Sequence, residues 1–211
     1  MAIDDLLDEH EQSEKVRSWL RANGAGLIGG VILGLALIGG WQWWQNRQQQ
    51  ARVQTAEHYQ ATVDLINAKQ LAPAQASVKN LSDPAYATLA ALQLAKAQVL
   101  AGQRDAAIAT LRTAKPAEPA LAAVVVQRQA RLLIDAGKPA DALNLLPADT
   151  VDPETLQVRG DAQVALGRVD DARKSYAQAL AHLDVAAPQR RLVELKLSEV
   201  GGTPAQPEAK T

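Results

Sequence analysis

Residues 153–182 read PETLQVRGDAQVALGRVDDARKSYAQALAH. A proline opens the stretch directly after Asp152. A carboxylate at that place can accept the free backbone N–H groups of a first helical turn, and proline, which has no N–H, loses nothing at the first helical position. The following residues run to Gly167, where the missing Cβ permits the left-handed conformation that stops one helix and reverses the chain. Gly160 stands seven residues before that turn and Ala172 five after it, so small side chains let two antiparallel helices approach closely. Nine residues past the turn glycine, Tyr176 is a larger side chain suited to filling the space between one hairpin and the next. The stretch is predicted to be a helix-turn-helix hairpin.

Moving outward, the same marks recur upstream. Ala95, Gly102 and Ala107, then Ala130, Gly137 and Ala142, repeat the seven-and-five spacing, with Leu111 and Leu146 in the place of Tyr176. Pro84, Pro119, Pro153 and Pro188 follow one another at 35, 34 and 35 residues, a period that belongs to helical-hairpin arrays. Each proline is predicted to start a helix, with Asp83 capping as Asp152 does. Three hairpins then cover Asp83 to Asp184, about the minimum for a solenoid to bury a continuous core. The third reaches its glycine 14 residues after its proline where the others take 18, so its helices are unequal to its neighbours'. Residues 45–82 are predicted to be a linking helix and a first degenerate hairpin, Gln50 to Lys69 followed by Pro73 to Leu81. Residues 83–200 are the repeats, closed by a capping helix over Pro188 to Val200, and GGTPAQPEAKT at 201–211 is expected to be disordered.

Composition agrees with an all-α chain. Of 211 residues only 3% are aromatic, none is Phe, and alanine, the best helix former, is frequent throughout. With 22 basic and 23 acidic residues the formal net charge is -1, so no overall field attracts nucleic acid. Cysteine is absent, which removes disulfides, thiolate nucleophiles and cysteine metal sites and leaves the compartment open.

A second feature precedes the repeats. Residues 24–44, GAGLIGGVILGLALIGGWQWW, carry no charge and interrupt their apolar character only at Gln42. As a helix these 21 residues extend about 31 Å, the thickness of a bilayer's hydrocarbon core. Leu27, Ile28, Val31, Ile32, Leu33, Leu35, Leu37 and Ile38 together favour insertion by roughly 2 to 5 kcal/mol. Trp19 on one side and Trp41, Trp43 and Trp44 on the other suit the two membrane interfaces. The run exceeds a signal-peptide core of about 7 to 15 residues and has no Ala-x-Ala cleavage pattern, so a retained transmembrane helix in contact with a lipid bilayer is predicted. Residues 1–23 form a short charged tail. Lys15, Arg17 and Arg21 before the span, against Arg47 and Arg52 after it, place that tail in the cytosol by a narrow margin.

Gly24, Gly26 and Gly29 spell the dinucleotide fingerprint, but a charged tail precedes them instead of a strand and no acid follows before Glu57, so no nucleotide is assigned. Gly26, Gly30 and Gly34 stand at four-residue spacing and put small residues on one stripe. The stripe reads either as a packing face for another transmembrane helix or as the ordinary glycine content of such helices. His10, His58 and His182 are scattered without metal-ligand spacing, no nucleophile motif is present, and Gly137-Lys138 is followed by Pro139 where a phosphate loop needs Ser or Thr. No catalytic residue, cofactor, metal or small-molecule substrate is predicted. What remains is a non-catalytic protein-binding adaptor or scaffold held at a membrane, and the residues themselves do not say which assembly it serves.

The hairpins resemble the tetratricopeptide repeat, on Leu156, Gly160, Gly167, Ala172, Tyr176 and Ala179. The usual first-helix tryptophan and tyrosine are missing, with Ala91 or Val126 and Gln98, Leu133 or Gln163 in those places. With the approach from Lys15 to Gly24, the span closing on tryptophans, Val31 to Gly34, and Ile38 to Trp41, the chain as a whole resembles the YfgM family, the ancillary subunit of the SecYEG translocon. That resemblance implies a bacterial inner-membrane protein with a cytosolic N-terminus and a periplasmic repeat domain. The partners it implies are the SecYEG translocon and periplasmic chaperones, including a membrane-anchored prolyl isomerase.

Overall fold

A computed structural model describes residues 4–204, with side chains from Ser13 onward except at position 51. The described residues are helical without strands: α1 (Asp4–Asn67), α2 (Leu71–Asn80), α3 (Pro84–Leu100), α4 (Arg104–Thr113), α5 (Pro119–Asp135), α6 (Pro139–Leu145), α7 (Pro153–Ala165), α8 (Val169–His182) and α9 (Arg190–Glu199). The chain divides into two units, residues 1–54 and 55–211. The first is the major part of α1. The charged segment before the apolar run is helical from Asp4 onward, continuous with residues 24–44, rather than a separate piece. The expectation of disorder for 201–211 falls mostly on residues 205–211, which lie outside the described residues.

The second unit begins at residue 55, inside the stretch 45–82 read as a linking helix and first hairpin. The last turns of α1 pair with α2, and Ile66 and Ala74 form one buried cluster with Leu94 of α3. The Thr62 and Ser77 hydroxyls meet at 2.6 Å across this hairpin, with Thr62 wholly buried. The stretch up to Asn80 is therefore part of the stacked core, because Leu94 would otherwise have nothing to pack against. Its second helix starts at Leu71, with Pro73 already inside the first turn, where no intrahelical N–H is required of it.

Along the stack, each hairpin lends side chains to the one before it. Val125 of α5 enters the cluster of Leu92, Ala95, Ala107 and Leu111. Val158 and Ala162 of α7 enter that of Ala130, Leu133, Ala142 and Leu146. Val193 and Leu197 of α9 close that of Leu156, Ala172, Tyr176 and Leu180. A hairpin by itself would leave this face exposed, so stacking supplies the hydrophobic stabilisation.

Local chemistry sets the ends of the helices. Pro84, Pro119 and Pro153 occupy first-turn positions of α3, α5 and α7. The Asp83 carboxylate accepts from the N–H groups of Ala85 and Tyr86 at 2.9 and 3.1 Å, and that of Asp152 accepts from Thr155 N–H at 2.8 Å. Pro188 departs from the series: α9 begins at Arg190 with Gln189 at its N-cap, so this proline belongs to the connection. Gly102, Gly137 and Gly167 have φ of 75°, 73° and 72°, the left-handed region that a Cβ disfavours. Gly201, at φ 73°, makes the same turn after α9. The first helix of the third hairpin is short, with 13 residues in α7 against 17 in each of α3 and α5.

The close contact between paired helices is filled in two ways. The first two complete hairpins put alanine (Ala95, Ala130) in a cluster with leucine (Leu111, Leu146). The third combines Gly160 with Tyr176, and a Cβ built on Gly160 would fall into the tyrosine ring. A larger ring on one helix thus requires a smaller residue on the other. Gly160→Ala should lower stability by about 1–3 kcal/mol through overpacking, outweighing a helix-propensity gain of about 1 kcal/mol. Adding Tyr176→Leu, which reproduces the alanine–leucine combination, should raise the unfolding midpoint above that of Gly160→Ala alone. Thermal unfolding followed by circular dichroism compares the three chains, and an unchanged midpoint for Gly160→Ala would contradict the steric account.

Candidate functional site

Two kinds of surface are available for recognition, one in each unit. On α1, the apolar run is bare. Helix residues from Ser13 onward contain an 18-residue window of mean hydropathy 1.8, and none of that window is buried. Leu33, Leu35 and Leu37 are each about two-thirds exposed. Exposed apolar area on this scale marks a surface that something else covers. Around a helix all of whose backbone groups are internally bonded, a bilayer can do so. Trp19, Trp41, Trp43 and Trp44 are all exposed. Trp41 and Trp44 tilt against each other at 5.4 Å between ring centroids, and the Arg47 guanidinium lies 4.7 Å above the Trp43 ring. Amphipathic rings beside a cation at the end of an apolar run suit the polar edge of a membrane.

The glycine stripe lies within this surface. A Cβ on Gly26, Gly30 or Gly34 would meet nothing within 4 Å. Gly26 and Gly30 line a shallow groove with Trp19, Asn23, Leu27 and Val31.

In the repeat unit the signature residues lie at the helix contacts. Ala107, Ala130, Ala142 and Ala172 have no exposed surface and Ala95 almost none. Gly160 is buried as well, and Gly102, Gly137 and Gly167 make the turns. These residues hold the hairpins in shape and present no chemistry of their own. A polar pair missed by the spacing argument lies beside them. The Thr110 hydroxyl donates to Gln98 Oε1 at 2.8 Å and the Ser175 hydroxyl to Gln163 Oε1 at 2.7 Å, both buried and both twelve residues apart. The middle hairpin has Leu133 and Leu145 at the equivalent places. The partners exchange polarity together, as burial demands, since an unpaired polar group costs more than either matched pair. Comparing positions -4 and +8 around each turn glycine would have found this pattern in the sequence.

Between hairpins the contacts are polar at the edges. Gln127 of α5 donates to Asp152 Oδ2 and Thr155 Oγ1, at 2.7 and 2.9 Å, at the start of α7. Arg131 pairs with Glu154 at 2.9 Å, and the Gln93 amide of α3 donates to the Tyr59 hydroxyl at 2.8 Å. Asp170 and Asp171 sit in the first turn of α8, where a carboxylate suits the helix dipole, and pair with Arg173 and Lys174. Among the described residues no three His, Cys, Asp or Glu gather as a metal could require. His58 and His182 lie on different helices, α1 and α8.

Openings lie along the stack. A smaller one, about 260 Å³, is lined by Pro153, Glu154, Gln157, Leu183 and Gln189. A larger one, about 710 Å³, lies where the α1–α2 and α3–α4 turns adjoin.

Residues 17–202 match the family described as a tetratricopeptide repeat-like domain, a match that takes in both the apolar run and the stacked hairpins. The chain belongs to this family. Three curated relatives share the name ancillary SecYEG translocon subunit, the family that the sequence motifs resemble. The Escherichia coli (strain K12) protein is 28% identical over 202 residues, covering 92% of this chain and 97% of the relative. That of Haemophilus influenzae is 27% identical over 184 residues, covering 82% and 89%, and that of Aggregatibacter actinomycetemcomitans 26% over 207 residues, covering 92% and 98%.

In this member of the tetratricopeptide repeat-like family, the C-terminal end is fastened by a three-helix polar cluster. Asp161 of α7 accepts from the Tyr176 hydroxyl of α8 at 2.7 Å and from the Lys196 ammonium of α9 at 2.7 and 2.8 Å. The Tyr176 phenol is pushed well above its ordinary 10.0, first by burial, then by its bond to Asp161 and the negative charge of Asp161 and Glu199. A raised folded value favours the protonated phenol, so this contribution is full below pH 10.0 and is lost as the pH climbs beyond it. Tyr176→Phe should cost about 1 kcal/mol near neutral pH, with Asp161 still paired to Lys196. It should also flatten the alkaline fall in stability. Urea unfolding at neutral and strongly alkaline pH measures both effects, and parallel alkaline losses in the two proteins would refute the assignment.

Proposed function

We propose that this chain is a non-catalytic, membrane-anchored adaptor of the SecYEG translocon. In this reading its repeat domain links the translocon to periplasmic chaperones, among them a membrane-anchored prolyl isomerase, through protein-protein contacts. The observation that carries the reading is the near full-length similarity to relatives named ancillary SecYEG translocon subunit, including 97% coverage of the Escherichia coli protein. Supporting it are a helix apolar and bare enough to enter a bilayer and a stack of hairpins whose repeated small residues and glycines are spent on packing, leaving outer surfaces free for partners.

The orientation proposed is an N-terminal tail in the cytosol and repeats in the periplasm of a bacterial inner membrane, with Trp19 at one interface and Trp41, Trp43 and Trp44 at the other. Gly26, Gly30 and Gly34 form the face on which a second transmembrane helix packs, since small residues allow the backbones to approach and gain dispersion contact.

Each element has its own experiment. Tagged full-length protein extracted in mild detergent should co-purify translocon subunits together with periplasmic chaperones. A partner set of division or pilus proteins without translocon subunits would replace the reading. Protease added to spheroplasts should cut the repeat domain, and full protection would reverse the orientation. Gly26→Ile combined with Gly30→Ile should reduce translocon co-purification by roughly ten-fold, equivalent to about 1.4 kcal/mol, while leaving the circular dichroism of the repeats unchanged. Undiminished co-purification would remove the stripe from the interface.

A further inference from the structure

Five of the turns that close helices in the repeat unit, those after α1, α3, α5, α7 and α9, share one hydrogen-bond pattern. The left-handed residue donates three residues back and its successor five back: Lys69 to Ile66 and Gln70 to Leu65, Gly102 to Val99 and Gln103 to Gln98, and likewise at Gly137, Gly167 and Gly201. Four of these turns use glycine. The first uses Lys69, at φ 59°, the one non-glycine residue with positive φ among the described residues. Its register is otherwise that of the repeat, with Thr62 seven residues before and Ala74 five after, both wholly buried. Folding alone favours glycine here, because a Cβ crowds the neighbouring carbonyl in this conformation. A lysine at the strained position of a repeated turn points to use of its side chain.

That side chain lines the opening of about 710 Å³. The groove has Ile66, Leu71 and Ala97 along it, Lys69 and Lys96 as its charged groups, and Leu100 beside them. Leu100 is 79% exposed, the most exposed of the large apolar side chains outside the first unit. No Asp or Glu lines it, and neither lysine enters an ion pair among the described residues. Its volume of about 710 Å³ falls in the range of sites that enclose several ligand side chains, about 300–1,000 Å³. Two cations without counter-ions and an uncovered leucine in one groove describe a ligand that is acidic and apolar together. We propose that this groove binds a short segment of a partner protein in which leucine-like side chains alternate with carboxylates. Lys69 and Lys96 would pair with the carboxylates, and Leu100, Leu71 and Ile66 would cover the apolar side chains.

The proposal rests on the adaptor reading only in taking the ligand to be a protein segment. It is tested with the full chain in nanodiscs of phosphatidylcholine and a fluorescein-labelled octapeptide of alternating leucine and glutamate, its glutamine counterpart serving as control. The glutamate peptide should bind at least about five-fold tighter than the glutamine peptide and weaken as salt rises from about 0.05 to 0.5 M. Lys69→Gly and Lys96→Gln should each weaken glutamate-peptide binding about three-fold or more. Lys69→Gly should at the same time keep or raise the unfolding midpoint, since it restores the residue of the sister turns. A merely structural lysine would change the midpoint and leave the peptide affinity alone.

Equal affinity for the two peptides, no binding of either, or binding indifferent to both substitutions would overturn the proposal. So would lysine-dependent binding to phosphatidylglycerol vesicles without binding to the peptide, which would make the groove a lipid site. Loss of peptide binding with translocon co-purification intact sinks this inference alone, and the converse result sinks only the adaptor reading.

Discussion

The repeat unit depends on how closely two antiparallel helices can approach at one pair of small residues. Where Ala95 and Ala130 stand, leucine fills the contact; where Gly160 stands, the Tyr176 ring occupies the volume a Cβ would need. Interior packing has no slack at such a place, so size on one helix is matched by size on the other. The turn must then deliver the second helix at a fixed distance and angle. A left-handed residue with paired hydrogen bonds three and five residues back does this, and it appears after Ile66, Val99, Ile134, Val164 and Ser198 alike.

From that constraint the rest of the unit follows by stacking. Each hairpin leaves a half-filled apolar face that Leu94, Val125, Val158 or Val193 of the next completes. Contacts therefore run between neighbours, and the polar edges, such as Gln127 with Asp152 and Thr155, fix the register of one hairpin on another. The buried Gln98–Thr110 and Gln163–Ser175 pairs, and the leucines that replace them in the middle hairpin, obey the same rule that a buried donor keeps its acceptor or both are lost. At the C-terminal end, where no further hairpin follows α9 among the described residues, Asp161 bonded to Tyr176 and Lys196 adds a polar clasp to the apolar contact.

In the adaptor reading, function lies on surfaces. Three relatives share one name and 82–92% of this chain, and the family match at residues 17–202 includes the apolar run that no repeat uses. That run buries nothing of itself, so its energetic purpose lies outside the chain. The repeat unit likewise spends its small residues and glycines on its own packing, which leaves departures from the pattern, such as lysine at a turn, as the places where a partner's demands become visible.

Much of this protein was legible in its residues alone. Proline and glycine restrict or release backbone angles locally, so their period specified an all-helical hairpin array, and hydrophobic length specified an apolar helix long enough to cross a bilayer. Both are properties of short segments. What only the tertiary structure decided depends on atoms brought together from distant positions. The hairpin of Gln50 to Lys69 and Pro73 to Leu81 was readable as a degenerate first unit, but Lys69 as its left-handed turn residue and its burial against Leu94 were not. Pro188 followed the period yet fell outside a helix. The polar pairs at a separation of twelve, the clasp of Asp161, Tyr176 and Lys196, and the groove holding Lys69 with Lys96 needed the helices to be packed, because a contact across a core is set by which faces meet and not by the residues taken one at a time.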